Sequence, residues 1–206
     1  MFESYGSTRL SSPNHPIAIV DARFCCPQEV TLIMKEKLFT YSGDSYDIKD
    51  DAGRAWFKVR GKAFSMREKK MIYDVQGNPV INLKENMFSF LGRPIQKVYL
   101  GDNSTNLICT IKPRFKLWSG KLVTQGKNQI NGHDLEFTLR SNHRGSEACI
   151  WLGKSRDGLP IAKIYRSLNM KSIMTDSRDY RLTVAPNVDV AFIVALAISL
   201  DELKKD

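Results

Sequence analysis

The chain has 206 residues, of which 42% are hydrophobic and 26% charged, the composition of a soluble globular protein with a large core. Its 31 Lys and Arg against 22 Asp and Glu give a formal net charge of +9, which favours polyanionic partners such as lipid headgroups, nucleic acid or acidic proteins. The four cysteines form no C-x-x-C pair and have no histidine at ligand spacing, which argues against a zinc site or a disulfide framework.

The first 22 residues show no hydrophobic period and are predicted to form a flexible arm before a single domain over residues 23–206. They also lack the apolar core of a secretory signal. We therefore expect a cytoplasmic protein, with a peripheral membrane or nuclear location as alternatives, rather than a secreted or membrane-spanning one. The four cysteines, Cys25, Cys26, Cys109 and Cys149, are interpreted as free, mostly buried thiols, and attachment of palmitate near a membrane is the alternative for the adjacent Cys25 and Cys26.

From Val30 onward, short runs of β-branched and aromatic residues recur every eight to twelve residues or so between turn sequences, which is typical of an all-β sandwich or barrel. Turn sequences include 50–53 and 76–79, and two polar stretches, 125–133 and 141–147, are predicted as projecting loops. The predicted strands are 30–34, 37–41, 46–49, 54–60, 62–67, 70–75, 79–83, 87–91, 95–100, 106–112, 114–118, 121–124, 135–140, 148–152, 160–166, 170–175 and 180–184.

Two of these segments alternate between apolar side chains and a basic face that includes a tryptophan, so one face of each strand is predicted to point inward. In the first, Ala55, Phe57, Val59 and Gly61 alternate with Arg54, Trp56, Lys58, Arg60 and Lys62. In the second, Ile111, Phe115 and Leu117 alternate with Lys112, Arg114, Lys116 and Trp118.

The C-terminal segment 188–203 is predicted to be a helix, with Asn187 as its N-cap and Asp189 near its positive end. No residue of 190–198 is polar, so this helix has no face suited to water. A bilayer span needs about 20 apolar residues, and this run is roughly half as long. We therefore predict that it is the buried centre of the domain, surrounded by the strands, with core residues Phe192, Ile193, Val194, Leu196 and Ile198.

No catalytic pattern is found along the chain. Its three histidines are His15, His133 and His143, and the sequence contains no G-x-S-x-G, H-E-x-x-H, glycine-rich phosphate loop or EF-hand pattern. The acidic residues Asp176 and Asp179 lie among arginines and lack the closely spaced oxygen ligands of a calcium loop. We therefore expect a protein that is not an enzyme and that has no metal or cofactor.

Four stretches resemble the plant-type LURP-one-related family, in the tubby C-terminal-like superfamily that also includes the phospholipid scramblases. They are 24–27 with Leu32 and Lys35; 46–50 with Gly53, Phe57, Val59 and Gly61; Asp74, Gly77, Pro79, Leu83 and Lys84; and 184–201. The resemblance covers about residues 24–203. It implies an all-β dominated (α+β) fold, a closed antiparallel barrel of about twelve strands around the C-terminal helix. By analogy with tubby-like domains it also implies binding of phosphoinositide headgroups by basic side chains on the barrel exterior.

The expected function is therefore that of a monomeric, non-enzymatic domain that binds anionic membrane lipids, in signalling or defence. The candidate headgroup residues are Lys58, Arg60, Lys62, Lys112, Arg114 and Lys116, with Trp56 and Trp118 as candidates for the membrane interface. Three alternatives stay open. The outward basic residues are a solvated face that keeps the protein soluble; the protein is a scaffold or transcription-related regulator that binds protein or, less favoured for want of a recognised motif, nucleic acid; or it has scramblase-like activity.

Overall fold

The structure, a computed structural model, describes residues 4–35, 45–61, 69–86, 95–113, 121–142, 146–166 and 179–202. Twelve strands form a closed antiparallel barrel in which consecutive strands pair and the first closes against the last. They are β1 (Val30–Lys35), β2 (Ser45–Asp50), β3 (Ala55–Gly61), β4 (Lys69–Asp74), β5 (Pro79–Asn86), β6 (Ile95–Leu100), β7 (Leu107–Pro113), β8 (Lys121–Lys127), β9 (Asp134–Ser141), β10 (Glu147–Leu152), β11 (Leu159–Arg166) and β12 (Asp179–Val184). The helix α1 (Val190–Glu202) follows β12.

This architecture confirms the predicted fold class, and each of the twelve strands overlaps a predicted one. The remaining predicted strands, 37–41, 62–67, 87–91, 114–118 and 170–175, lie outside the described residues. The predicted loop 125–133 begins later than expected, because β8 continues to Lys127.

The helix α1 lies inside the barrel, and every side chain of residues 190–200 is buried. Its Phe192 ring packs edge to face against Phe137 of β9, with 4.8 Å between the ring centroids. Ser199, a polar residue on this helix, donates its hydroxyl proton to the carbonyl of Ala195 at 2.8 Å. At about 1.5 to 3 kcal/mol for each large side chain, burial of the predicted core residues contributes on the order of 10 kcal/mol before opposing terms are counted.

The start of α1 differs from the prediction. The helix begins at Val190 and its N-cap is Asp189, whose Oδ1 accepts the N–H of Phe192 at 3.0 Å. Asn187, the predicted cap, instead has a left-handed backbone with φ of 62°, a conformation that Asn adopts more readily than most residues. The N–H of Asp189 donates to the carbonyl of Ile17 at 3.0 Å, so a contact with a distant segment fixes where the helix begins.

Residues 4–22 also differ from the prediction of a flexible arm over residues 1–22, of which residues 1–3 lie outside the described part of the chain. Residues 17–20 are buried at the end of the barrel where α1 begins. The carboxylate of Asp189 accepts backbone N–H groups of Ile19, Val20 and Asp21 at 3.0, 2.7 and 3.1 Å, and Asn128 Oδ1 accepts that of Ala18 at 3.2 Å. These bonds join residues far apart in the sequence, so no local period marks the segment.

Candidate functional site

Three of the candidate headgroup residues have described side chains, and all three point outward from the barrel. Lys58 and Arg60 alternate with the buried Phe57 and Val59 on β3. Lys112 on β7 is exposed and follows the buried Ile111. Lys62, Arg114, Lys116 and Trp118 lie outside the described residues.

The two basic strands are not neighbours. In the closed order of the barrel, β4, β5 and β6 lie between β3 and β7. Because four steps on a ring of twelve strands make a third of the circumference, Lys58 and Lys112 are too far apart to contact one group. The side chains on the outer surface of the three intervening strands decide whether the positive charge is continuous.

Those strands carry further cations and aromatic rings on their outer surface. Lys84 on β5 is the direct cross-strand partner of Lys97 on β6. The guanidinium of Arg60 lies 4.8 Å from the ring centroid of Tyr73 on β4, and Lys84 Nζ lies 5.9 Å from that of Tyr99 on β6. The side chains Lys58, Arg60, Lys84, Lys97 and Lys112 therefore share one third of the barrel surface, which we call the basic face.

No described lysine of β4 to β7 has a carboxylate as its direct cross-strand partner. The half-buried Glu85 follows Lys84 on β5 and pairs with Gln96, and Asp47 of β2 is the cross-strand partner of Lys58 at the border of the basic face. Direct cross-strand compensation by opposite charge is thus absent for the described lysines of β4 to β7. The arrangement is chemically suited to bind several negative charges at once.

Sequence reasoning missed Lys84 and Lys97, although the signal that locates Lys97 was available. In β6 the buried Gln96 and Val98 alternate with Lys97 and Tyr99, the same pattern that marked β3. Lys84 follows the buried Leu83 on β5, so its orientation was predictable as well.

Trp56 on β3 packs against the core and is joined by a hydrogen bond to the residue that organises the β2–β3 turn. It is half-buried, and its indole N–H donates to Asp50 Oδ2 at 3.1 Å. Asp50 also accepts the backbone N–H groups of Ala52 and Arg54, and Gly53 in the same turn has φ of 80°, which favours glycine. Burial raises the pKa of Asp50, but the hydrogen bonds from Trp56 and Arg54 outweigh it and lower the pKa below its usual value.

The same arrangement recurs in the β4–β5 turn. Asp74 Oδ1 accepts the N–H groups of Gln76 and Asn78 at 3.1 and 2.8 Å, and Gly77 has φ of 86°. Several residues that carry the family resemblance, Asp50, Gly53, Asp74 and Gly77, therefore stabilise turns.

The adjacent Cys25 and Cys26 have unreactive thiols. Cys25 Sγ donates to the carbonyl of Ile17 at 3.3 Å. Burial, together with the charge of Asp189, raises the pKa of Cys25 to about 12, and burial raises the pKa of Cys26. Since the thiolate is the reactive form, neither is an activated nucleophile.

No group of three or more His, Cys, Asp or Glu side chains that could ligate a metal occurs among the described residues. In that part of the chain, no helix has the length and apolar character needed to cross a membrane.

Comparisons with known proteins agree with this architecture. A family model described as LURP-one-related matches residues 30–201. Similar proteins include LURP-one-related 10 of Arabidopsis thaliana, 27% identical over 196 residues that cover 92% of this chain and 98% of that one. LURP-one-related 15 of the same plant is 25% identical over 205 residues, with 98% and 92% covered. The uncharacterized protein YxjI of Bacillus subtilis is 25% identical over 177 residues, with 84% and 92% covered.

A solved structure shows the same fold. It is the X-ray structure of an Arabidopsis thaliana protein that superposes with a TM-score of 0.64 at 23% identity, covering 90% of this chain and 98% of that one. The resemblance that the sequence motifs indicated is confirmed by the family model and by these relatives.

Proposed function

The chain belongs to the LURP-one-related family, and from this premise we propose that it is a non-enzymatic domain that binds anionic phospholipids, phosphoinositides among them, through the basic face. The observation that supports this proposal is the grouping of cations on one third of the barrel, where no described lysine of β4 to β7 has a carboxylate as its direct cross-strand partner. Because fold alone does not define function, the proposal depends on this surface.

The charge of the basic face is sufficient for reversible attachment. A basic residue close to an anionic leaflet contributes about 1 kcal/mol to the free energy of membrane binding. The five basic residues together therefore support binding that is reversible. Tyr73 and Tyr99 lie beside the cations, and aromatic rings with a polar end suit the headgroup region. Since the anionic lipids are concentrated in the cytoplasmic leaflet, the proposed location is the cytosolic surface of a membrane.

Vesicle co-sedimentation tests the proposal. The protein is mixed with phosphatidylcholine vesicles, with and without phosphatidylinositol bisphosphate, at physiological salt. The variant Lys84→Glu/Lys97→Glu reverses two charges at the centre of the basic face. We expect the wild type to bind selectively to the anionic vesicles, and the variant to bind at least about tenfold more weakly.

A matched control reverses two charges elsewhere. Arg9→Glu/Arg181→Glu changes the net charge equally, and β12, which carries the exposed Arg181, lies opposite β6 in the ring. This control should bind nearly as the wild type does. Equal losses of vesicle binding in both variants would show that net charge alone, and not the basic face, determines binding. Absence of binding to every vesicle would show that the basic face is only a solvated surface. A stronger preference for a single-stranded oligonucleotide in competition would favour the regulator hypothesis.

A further inference from the structure

A cleft lies along β7, β8 and β9. In the described strands, β7 and β8 pair through Lys112 with Val123 and through Pro113 with Leu122. Next to these pairs the hydroxyl of Thr124 donates to the carbonyl of Thr110 at 3.1 Å. The volume of the cleft is about 650 Å³, within the range of roughly 300 to 1,000 Å³ that small-molecule sites occupy. We call it the β7–β8 cleft.

The rim of this cleft is polar, and its floor is formed by residues of the hydrophobic core. Its floor includes the buried side chains of Cys109 and Phe137, and Phe137 packs on Phe192 of α1. Its walls and rim include the hydroxyl group of Thr110 and the amide of Gln125. A ligand here would contact hydrogen-bonding groups while its inner side rested on a packed core.

The charges around the β7–β8 cleft are mainly positive. Lys112 and Lys154 line it, and Lys97 is the cross-strand partner of the lining residue Thr110. The carboxylate among the lining residues is that of Glu136, which accepts a hydrogen bond from Gln125 Nε2 at 2.6 Å and lies 3.7 Å from Lys154 Nζ. Lysines suit phosphate oxygens, whereas a carboxylate beside an amide suits hydroxyl groups.

We propose that the β7–β8 cleft binds a phosphorylated polyol, either free in solution or as the headgroup of a lipid. A phosphate contacts Lys97 and Lys112, and the polyol hydroxyls bond to Glu136 and Gln125. For its choice of ligand the inference rests on the function proposed above. Lys112 belongs both to the basic face and to the lining of the cleft, and Lys97 of the basic face lies opposite the lining residue Thr110. The cations that attract an anionic membrane are therefore next to the selective site.

The test blocks the cleft without changing its charge. Thr110→Phe places an aromatic ring in the opening, and Thr110→Ser is the matched control, which keeps the hydroxyl group and the space. Binding of soluble inositol 1,4,5-trisphosphate is measured by calorimetry, with inorganic phosphate as the reference ligand. We expect the wild type and Thr110→Ser to bind inositol trisphosphate at least about tenfold more tightly than phosphate, and Thr110→Phe to lose this preference.

A second variant keeps the outcome clear if Thr110→Phe is unstable. Lys154→Met, at an exposed rim position, should weaken binding of the trisphosphate about fivefold or more, because both the cation and the orientation of Glu136 are lost.

The outcomes separate the two proposals. Trisphosphate binding that persists in Thr110→Phe and Lys154→Met, or a phosphate affinity equal to that of the trisphosphate, would overturn the cleft site, even if anionic vesicles still bound through the basic face. Vesicle binding with no binding of the soluble trisphosphate would overturn it as well. Cleft-dependent binding of the trisphosphate without vesicle binding would support the cleft, identify the ligand as a free polyol phosphate and overturn the membrane function.

Discussion

Asp189 joins three parts of the molecule through one carboxylate. Its Oδ1 caps α1, and its Oδ2 accepts the N–H groups of Ile19, Val20 and Asp21. Burial raises the pKa of this carboxyl to about 6, although the four hydrogen bonds act in the opposite direction. The sequence indicated an acidic residue at the start of a helix, but the partners at 19–21 lie 168 to 170 residues away and leave no local signal.

The raised pKa predicts a pH dependence of stability. Because the folded-state value exceeds the ordinary carboxyl value, the folded protein binds this proton more tightly than the unfolded chain does. The contribution of this proton to the free energy of unfolding is therefore complete below about pH 4 and is lost as the pH rises through about 6. With about 1.4 kcal/mol for each pKa unit, the loss is on the order of 3 kcal/mol. Urea unfolding of the wild type and of Asp189→Asn at about pH 4.5 and about pH 7 measures it.

We expect the wild type to exceed Asp189→Asn in unfolding free energy by more at the lower pH than at the higher. Asn can still cap α1, but its amide would face N–H groups that need an acceptor, so the variant should be less stable at both values. Asp21→Asn, which changes an exposed neighbouring carboxylate, is the control. A difference that does not vary with pH would show that Asp189 does not titrate in this window.

At the scale of elements, the N-terminal segment acts as a strap. Tyr5 packs edge to face on Trp151 at 5.5 Å, and Lys163 Nζ donates to the carbonyls of Gly6 and Thr8 at 3.5 and 3.4 Å. Farther along, residues 17–21 cover the start of α1. The first half of the strap therefore lies on the outside of the barrel, and the second half of the strap completes the core.

This division predicts different effects of two truncations. A chain of residues 23–206, the domain boundary that the sequence predicted, removes three hydrogen bonds to the buried Asp189 and uncovers apolar side chains. We expect it to be insoluble or to unfold without cooperativity. A chain of residues 10–206 keeps residues 17–21 and should melt cooperatively, a few degrees below the full chain. Soluble yield and circular-dichroism melting measure both, and an intact melting transition for residues 23–206 would contradict the role given to the strap.

Local patterns predicted the elements better than they predicted the contacts between them. The alternation of Phe57 and Val59 with Lys58 and Arg60 located an inward and an outward face, and the apolar run 190–198 located the central helix. Both signals depend on neighbouring residues. The helix cap at Asp189 could not be predicted in the same way, because a hydrogen bond to Ile17 determines the backbone at that point.

At the scale of the whole molecule, closure of the barrel determines which charges act together. The sequence pointed to basic rows on β3 and β7, but only the order of the strands shows that Lys84 and Lys97 lie between them. Twelve strands about 4.8 Å apart and tilted by about 40° form a barrel roughly 24 Å across. A flat membrane that touches this barrel at β5 is therefore roughly 6 Å farther from the backbone of β3 and β7.

This curvature predicts that the central and flanking cations contribute unequally to vesicle binding. Lys84→Glu/Lys97→Glu changes residues nearest the membrane, whereas Lys58→Glu/Lys112→Glu changes the borders of the basic face by the same charge. Since the Debye length is about 8 Å at physiological salt, we expect the central pair to weaken co-sedimentation with anionic vesicles by the larger factor. Raising the salt should abolish the contribution of the flanking pair first. A larger loss from the flanking pair would mean that the protein docks through a different part of its surface.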